Sequence, residues 1–328
     1  MNQSLSENAK ATLLLTAPLI SGREAHPHDL LTPGEFNYLA RHLEHLGVEL
    51  SDLISGQASA LIRACSDVVA GERLEQLLER SFLLGPVVES WQARSIWVTS
   101  RADAQYPEAL RVKLGERAPG LLYGCGDQNL LDTGGLAVVG SRNADPEAMS
   151  FAGSIGAQAA SSGITIVSGG ARGIDQMAML SATTAGGNVV GVLADGLDSA
   201  TINRDNRPSL MEGNLCLISP YDPKAGFNVG HAMQRNKVIY ALAQAGLVVS
   251  TDLGKGGTWS GAKEQLDRFH FGPVYVRDVQ GTSSGLDALQ TKGALVWPNP
   301  HNQDEFRELF QRPTQPQLSP QDSSLTLF

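Results

Sequence analysis

The sequence lacks the residues that would build a disulfide framework or a metal site. Its three cysteines, Cys65, Cys125 and Cys216, are far apart and odd in number, which argues against disulfides and zinc and suits a cytoplasmic protein. The seven histidines form no close pair with a third ligand, and no HExxH segment occurs. We therefore expect no metal and no cofactor, and the residues alone identify no catalytic group.

The sequence also has no apolar run as long as a membrane span. Ala11–Ile20 is apolar but short, and no convincing small-residue cleavage site follows it. We interpret this stretch as a local helix rather than a signal peptide, and we expect no membrane partner.

The sequence also has no excess of basic residues, and its net charge is −9. Overall acidity counts against nucleic acid as a partner. The acidic residues lie mostly in the flanks, however, and between residues 137 and 276 basic and acidic side chains nearly cancel. A local basic crevice in the middle of the chain is therefore compatible with the composition.

The residues that are present divide the chain into four parts. Residues 1–30 mix Ser, Asn, His and Pro and are predicted to be poorly ordered. Residues 31–95 form a small helical domain, whose first helix begins at Thr32-Pro33-Gly34-Glu35 with a hydroxyl cap and a proline at the first position. Residues 96–298 form the main domain. Residues 299–328 are a C-terminal tail, in which the Gln-, Pro- and Ser-rich residues 313–323 are a disordered linker.

The main domain is predicted to be an α/β fold with a mainly parallel sheet and helices on both faces. Continuous apolar runs that alternate with helical patterns are typical of strands buried on both sides. The runs are Leu136–Val139, Thr165–Val167, Val189–Leu193, Leu215–Ile218, Leu247–Val249, Val274–Val276 and Leu295–Trp297.

Two strand-to-helix turns carry the strongest functional signal. The first is Gly140-Ser141-Arg142, and the second is Ser168-Gly169-Gly170-Ala171-Arg172-Gly173-Ile174-Asp175. Small residues allow a ligand or backbone to approach closely, a following helix directs free N–H groups toward an anion, and arginine matches phosphate oxygens. The turns predict a phosphate-lined crevice, in a nucleotide or a nucleic-acid site. The alternatives are a surface salt bridge for Arg142 and helix capping for Asp175.

Two further segments suit the same crevice. Gln234-Arg235-Asn236-Lys237 lies on a helix that follows Gly226-Phe227-Asn228, and its alternative is a solvated polar face. Gly254–Gly261 follows a strand and can present amides to a phosphate, although it is not a Walker A motif. Its alternative is a mobile surface loop, in which Trp259 either stacks on a base or anchors the loop.

The order of these motifs resembles the DNA-processing protein A family (DprA, also called Smf). The family pattern has counterparts in Gly140–Arg142, Ser168–Asp175, Gly196-Leu197-Asp198 with Asn203, Arg235–Lys237 and Ser260-Gly261, and Tyr106-Pro107 resembles the start of the domain. The resemblance implies an extended Rossmann-like domain over residues 96–298 that binds single-stranded DNA, forms a homodimer and hands the strand to a RecA-type recombinase. It implies no enzymatic activity. The expected DNA- or phosphate-binding residues are Gly140, Ser141, Arg142, Ser168, Gly169, Gly170, Arg172, Gly173, Arg235, Asn236, Lys237, Lys255, Gly257 and Ser260.

The sequence departs from the family pattern at several positions. Ala200-Thr201 replaces Tyr-Pro, Lys237 replaces the final arginine, and a strand expected to end in Glu-Ala ends at Thr251-Asp252. The resemblance implies a protein that acts in DNA processing, recombination or uptake. The departures count against a role in transformation more than against DNA binding, and they suggest a divergent relative in a mobile-element, phage-defence or toxin-antitoxin setting. One rival reading is a nucleotide phosphoribohydrolase with Glu264 as acid or base, and another is a non-catalytic interaction scaffold.

The last five residues, Ser324-Leu325-Thr326-Leu327-Phe328, resemble the peptide by which bacterial proteins dock on the sliding clamp. Leu325, Leu327 and Phe328 would make the contact, although Ser324 replaces the usual glutamine. The alternatives are a chance ending or a tail that folds back on its own domain.

Overall fold

The apolar runs form one nine-stranded sheet in the computed structural model, which describes residues 5–19, 29–56, 58–279 and 283–311. The strands are β1 (Trp97–Ser100), β2 (Leu121–Gly126), β3 (Leu136–Val139), β4 (Ile166–Ser168), β5 (Val189–Val192), β6 (Leu215–Ser219), β7 (Ala245–Val248), β8 (Val274–Val276) and β9 (Leu295–Val296). Their order across the sheet is β1-β2-β6-β5-β4-β3-β7-β8-β9.

Strands β3 to β9 pair with one another in parallel, whereas β2 pairs in antiparallel fashion with both of its neighbours, β1 and β6. The predicted mainly parallel sheet is therefore confirmed, and each of the seven apolar runs contributes one of its parallel strands. The sequence did not indicate β2, because glycines interrupt its apolar residues at Gly124 and Gly126. Gly124 is required there because a Cβ at this position would lie 2.1 Å from the ring of Trp97 on the neighbouring strand.

Helices cover both faces of the sheet. They are α1 (Glu7–Thr16), α2 (Pro33–His45), α3 (Ala58–Ala64), α4 (Gly71–Leu78), α5 (Leu84–Gln92), α6 (Glu108–Leu114), α7 (Pro146–Ser161), α8 (Ile174–Thr184), α9 (Asp198–Thr201), α10 (Arg207–Glu212), α11 (Val229–Leu242), α12 (Gly256–Glu264), α13 (Ser284–Thr291) and α14 (Gln303–Gln311). Along β3, Leu136 and Val138 pack into the core that contains α7 and α8, whereas Ala137 and Val139 pack into the core that contains α6 and α11. This alternation gives each face of the sheet its own apolar core.

The start of the chain is more ordered than its composition indicated. Residues 1–30 are predicted to be poorly ordered apart from a local helix at Ala11–Ile20. A helix is present there, but it is α1 at Glu7–Thr16, which is capped by Ser6 and buries apolar side chains on both sides. Leu13 and Leu14 belong to the core of the sheet, whereas Leu15 belongs to the helical core with Phe36. The guanidinium of Arg80 donates to the carbonyl oxygens of Leu14 and Ala17. The helix is stable here because it joins two cores, which composition cannot reveal.

The C-terminal part also corrects one expectation. Within the predicted tail of residues 299–328, helix α14 packs Phe306 against Trp297 with ring centroids 5.7 Å apart, and both side chains are buried. The apolar core therefore extends to α14. The predicted linker at 313–323 and the clamp-like residues Leu325, Leu327 and Phe328 lie outside the described residues.

In the part of the chain that the structure describes, none of the helices combines the length and apolar character needed to cross a bilayer.

Candidate nucleic-acid interface

Strand β3 is the point at which successive strands of the chain change from one side of the sheet to the other, and a cleft lies there. From β3 the chain moves to β4 on one side and later returns to β7 on the other. Ligands of open parallel sheets bind beyond the carboxyl ends of the strands at such a switch point. The cleft has a volume of about 510 Å³ and is lined by the Gly140–Arg142 turn, residues of α11 and the start of α12.

A second, smaller pocket joins the cleft beside the end of β4. It has a volume of about 230 Å³ and is lined by Gly169, Gly170 and Arg172, together with Arg142 and Arg235. The structure thus brings together most of the residues expected to bind phosphate. Three of them, Ser168, Gly173 and Lys237, line neither pocket.

The buried carboxylate of Asp175 links the two glycine turns. It accepts a hydrogen bond from the amide of Gly140 at 3.3 Å and another from the amide of Gly169 at 3.1 Å. Burial raises the pKa of Asp175, while the nearby charge of Arg235 and these amides oppose the rise. Asp175 therefore fixes the position of both turns, and the amides of Gly140 and Gly169 are already occupied.

The small residues of the turns make room for protein atoms. A Cβ at Gly169 would lie 1.6 Å from Nη1 of Arg235, and one at Gly140 would lie 2.5 Å from the side chain of Ile174. Gly173 has φ of 95°, and a Cβ there would meet the carbonyl oxygen of Ser141. The sequence correctly indicated a close approach at these glycines, but the approaching groups belong to the chain itself.

The side chains of Arg235 and Ser168 are buried, contrary to the expectation that they contact a ligand phosphate. Arg235 is only 4% exposed, and its Nη1 donates to the carbonyl oxygen of Val192 at 2.7 Å. Burial lowers the pKa of Arg235, while nearby Asp175 opposes the decrease. Ser168 is fully buried, and its hydroxyl donates to the carbonyl oxygen of Val138 at 2.6 Å. Both side chains support the cleft from within, because buried polar groups take the nearest backbone acceptors.

Arg142 has the opposite surroundings. Its side chain is exposed, and its guanidinium carbon lies 4.9 Å from the ring centroid of Phe227. No acidic side chain among the described residues forms an ion pair with Arg142. The surface salt bridge considered for this residue is therefore not present in the described part of the chain, and the charge faces solvent at the meeting point of both pockets.

Phe227 is a cleft residue that the sequence analysis did not select. Its side chain is 49% exposed although it is aromatic, and it lines both pockets. One feature of the sequence could have identified it. Phe227 comes just before Asn228, the N-cap of α11, and does not belong to the apolar periodicity of that helix. Arg172 lies nearby and donates to the side-chain oxygen of Asn143 at 2.6 Å, which orients its guanidinium.

The glycine-rich segment after β7 is the start of α12 and not a mobile loop. Its N-terminal end faces the cleft with Lys255, Gly257 and Ser260 in the lining. Asn236 donates to the carbonyl oxygen of Gly257 at 2.9 Å, and Thr258 donates to that of Gly140 at 2.9 Å. These two bonds fix the helix start against the cleft.

Trp259 is the anchor of this helix start. Its side chain is 8% exposed and belongs to the core on one face of the sheet. Of the two readings given for this tryptophan, base stacking is therefore excluded by its burial and anchoring of the segment is supported.

Lys237 and Glu264 lie away from the cleft and beside each other. The Lys237 Nζ is 3.6 Å from a Glu264 carboxylate oxygen, which is also 3.8 Å from Arg268. Glu264 ends α12 and Gly256 begins it, so the two are about 12 Å apart along the helix axis. Lys237 does not line the cleft, contrary to the expectation that it binds phosphate there. The position of Glu264 also gives no support to a role as acid or base beside a phosphate cradle at Gly254–Thr258.

The described residues contain no group of three or more His, Cys, Asp or Glu side chains placed to bind a metal ion. All three cysteines are buried and unpaired.

Comparisons with known proteins agree with the fold and the motifs. A family model described as DNA recombination-mediator protein A matches residues 97–303. A putative DNA processing protein DprA from Mycobacterium tuberculosis is 28% identical over 239 residues, which are 69% of this chain and 57% of that relative. The chain thus spans little more than half the length of this relative.

Two solved structures share the fold. DNA processing protein A from Streptococcus pneumoniae superposes with a TM-score of 0.67 at 21% identity, over 95% of this chain and 100% of that one. DNA processing protein A from Helicobacter pylori, which is described with a single-stranded DNA binding mode, gives a TM-score of 0.53 at 23% identity, over 66% and 96% of the two chains. The family model covers more than half of the chain, and the resemblance drawn from the motifs is confirmed. The chain belongs to the DNA recombination-mediator protein A family.

Proposed function

We propose that the cleft binds the phosphate backbone of single-stranded DNA, and that the chain acts in DNA processing, recombination or uptake. The observation that carries the proposal is the environment of Arg142, which is exposed, free of acidic partners among the described residues and held over Phe227 where two pockets meet. The guanidinium of Arg142 is planar and permanently charged, and in this position it can donate hydrogen bonds to two oxygens of one phosphate.

Other groups around Arg142 suit the same ligand. Arg172 and the exposed Lys255 add positive charge on either side. The N-terminal end of α12 favours an anion. The half-exposed ring of Phe227 offers a face for one base, and such stacking tolerates any base. Together they support binding with little sequence preference. The H. pylori relative is described as binding single-stranded DNA, which supports the same reading.

Arg142→Ala tests this proposal. Loss of a hydrogen bond to a charged group costs about 1.5–3 kcal/mol, so affinity for a fluorescent oligo-dT should fall roughly 10- to 150-fold. Fluorescence anisotropy at low salt measures the affinity, and circular dichroism checks the fold. Arg63→Ala, which removes an exposed arginine on α3 in the helical region, is the matched control and should bind as the parent does. Equal losses in both variants, or none in Arg142→Ala, would overturn the assignment.

We also propose that the chain works as a homodimer and passes the strand to a RecA-type recombinase, as the family resemblance implies. Light scattering should then give twice the 34.8 kDa of one chain. Loading of the recombinase onto protein-coated single strands should be faster with the parent than with Arg142→Ala. A monomer in solution, or equal loading by both proteins, would count against these partners.

The clamp-like ending gives a separate proposal about a partner. A labelled peptide of residues 313–328 should bind a bacterial sliding clamp in the micromolar range, about −8 kcal/mol, because a free peptide loses conformational entropy on binding. Replacing Leu327 and Phe328 with alanine should abolish the binding. Absence of saturable binding would remove the clamp from the list of partners.

A further inference from the structure

A large groove adjoins the cleft and has no role in the function proposed so far. It has a volume of about 910 Å³ and runs between α8 and the α9–α10 segment. Its base is formed by Leu193, Leu215 and Leu217, and the thioether side chains of Met177 and Met179 lie along the α8 wall. Sites for small organic ligands have volumes of this order and a similar apolar lining.

The groove opens where the phosphate contacts are proposed. Arg142, Gly170 and Arg172 line both the groove and the pocket beside β4. A strand whose phosphate lies on Arg142 therefore passes the mouth of the groove. The bases of that strand are the nearest groups that could enter it.

The charged side chains that line the groove bear on whether a base or a phosphate binds there. Among the described residues, the charged side chains of its lining are Arg142, Arg172 and Asp195, which also line the pocket beside β4, and Asp205, which does not. Carboxylates repel phosphate but leave a neutral base unaffected. The groove therefore favours a base over a second phosphate.

The polar side of the groove suits the edge of a base. Asn203 is exposed in the lining, and Asn206 donates to the carbonyl oxygen of Ala200 at 3.0 Å, which leaves its side-chain oxygen available to a ligand donor. Methionine side chains adapt to ligands of different shape. A base of any type can therefore pack against Met177 or Met179 while its edge meets an asparagine.

We propose that this groove is a nucleobase-binding site, which takes one or more unstacked bases of the single strand held at Arg142. The inference rests on the proposed function, because the strand must first bind through its phosphates. It adds a second base contact, separate from the ring of Phe227.

Methionine oxidation measures occupancy of the groove directly. The full chain is treated with hydrogen peroxide at low salt, alone, with saturating oligo-dT, or with a saturating abasic strand of equal length, and analysed by mass spectrometry. Oligo-dT should slow oxidation of Met177 and Met179 at least fivefold, and the abasic strand should not. Met211, which is 78% exposed and not part of the groove lining, should react equally in all samples.

A groove-filling variant gives an independent readout. Ser199 is exposed in the lining, so Ser199→Trp should fold and occupy the groove. It should lose at least fivefold in affinity for oligo-dT and retain its affinity for the abasic strand, whereas Ser154→Trp, on the exposed side of α7, should change neither. Unchanged oxidation of Met177 and Met179 under saturating oligo-dT, or full affinity of Ser199→Trp, would overturn the groove site alone. If neither strand binds at low salt, the proposed function fails as well.

Discussion

Arg142 and Arg235 lie in the same cleft with opposite surroundings, and this difference sets their roles. Both line the main cleft and the pocket beside β4. Arg235 is buried, and Nη1 donates to Val192, so its removal would leave a buried carbonyl without a donor. Arg142 is exposed, lies over the ring of Phe227 and forms no ion pair among the described residues, so its removal should change ligand binding and leave the fold intact. Residue type alone does not distinguish them, because the distinction comes from neighbours distant in sequence.

Gly169→Ala tests the supporting role of Arg235. The new Cβ would lie 1.6 Å from Nη1 of Arg235, so the guanidinium must move and its bond to Val192 is lost. Overpacking and a lost bond of this kind should destabilise the protein by about 2–4 kcal/mol. Urea denaturation followed by circular dichroism measures this change.

The matched control is Gly85→Ala within α5. No atom lies within 4 Å of a Cβ at this position, and the residue is helical. The substitution should leave stability unchanged or raise it by about 0.5–1 kcal/mol, because alanine favours a helix over glycine. If Gly169→Ala were as stable as Gly85→Ala, Arg235 would not be confined as described.

At the scale of elements, the rotation of α11 decides which side chains reach the cleft. Successive helical residues point about 100° apart, so Arg235, Asn236 and Lys237 cannot all face one ligand. Arg235 points to the sheet, Asn236 to α12, and Lys237 to Glu264. Helical spacing alone predicts that these three side chains point in different directions. Which of them reaches the cleft depends on how α11 packs against the sheet, and the sequence does not show this packing.

Thr258→Val tests whether the start of α12 must be held at the cleft. The change keeps the shape of the side chain and removes the hydroxyl that donates to Gly140. Loss of this bond should cost about 1 kcal/mol of stability, and the less firmly held helix start should weaken affinity for oligo-dT by up to about fivefold in anisotropy. Thr291→Val on α13, which removes a comparable hydroxyl bond to Asp287 far along the chain, should not affect binding. Equal affinities in the two variants would contradict the role given to α12.

The start of α2 predicts a pH dependence of stability. Thr32 and Glu35 form the capping box that the sequence indicated. The hydrogen bond from Arg73, at 2.6 Å, and the bonds from Thr32 lower the pKa of Glu35 to about 2. A carboxyl group with a lowered pKa stabilises the fold above its unfolded pKa, and this contribution is lost as the pH falls toward the folded pKa.

Glu35→Gln should therefore cost about 0.5–1 kcal/mol at neutral pH, and the difference from the parent should shrink between pH 4.5 and pH 2. Thermal unfolding at a series of pH values provides the comparison. Glu75→Gln, at an exposed position of α4, should show no such trend. A difference that stays constant down to pH 2 would mean that the charge of Glu35 does not contribute.

At the scale of the whole molecule, local patterns predicted the sheet better than the cleft. Apolar runs located the parallel strands because strands buried on both faces must be apolar throughout. The ordered glycine and arginine turns identified the family. Arg235 and Ser168 were placed in the site for the same reason as Arg142, although their burial depends on Val192 and Val138 on neighbouring strands. A local helix near α1 was predicted, but the order of the surrounding segment was not, because α1 is stabilised by two cores whose other residues lie far along the chain.

The salt dependence of oligo-dT binding tests the central claim, phosphate binding in the cleft, most directly. Each phosphate contact contributes about −0.7 to the slope of log K against log salt for a single strand. Contacts from Arg142, Arg172 and Lys255 therefore predict a slope of about −2, and Arg142→Ala should reduce its magnitude by about 0.7. A slope near zero, a slope that Arg142→Ala leaves unchanged, or an absence of binding at low salt would contradict the claim.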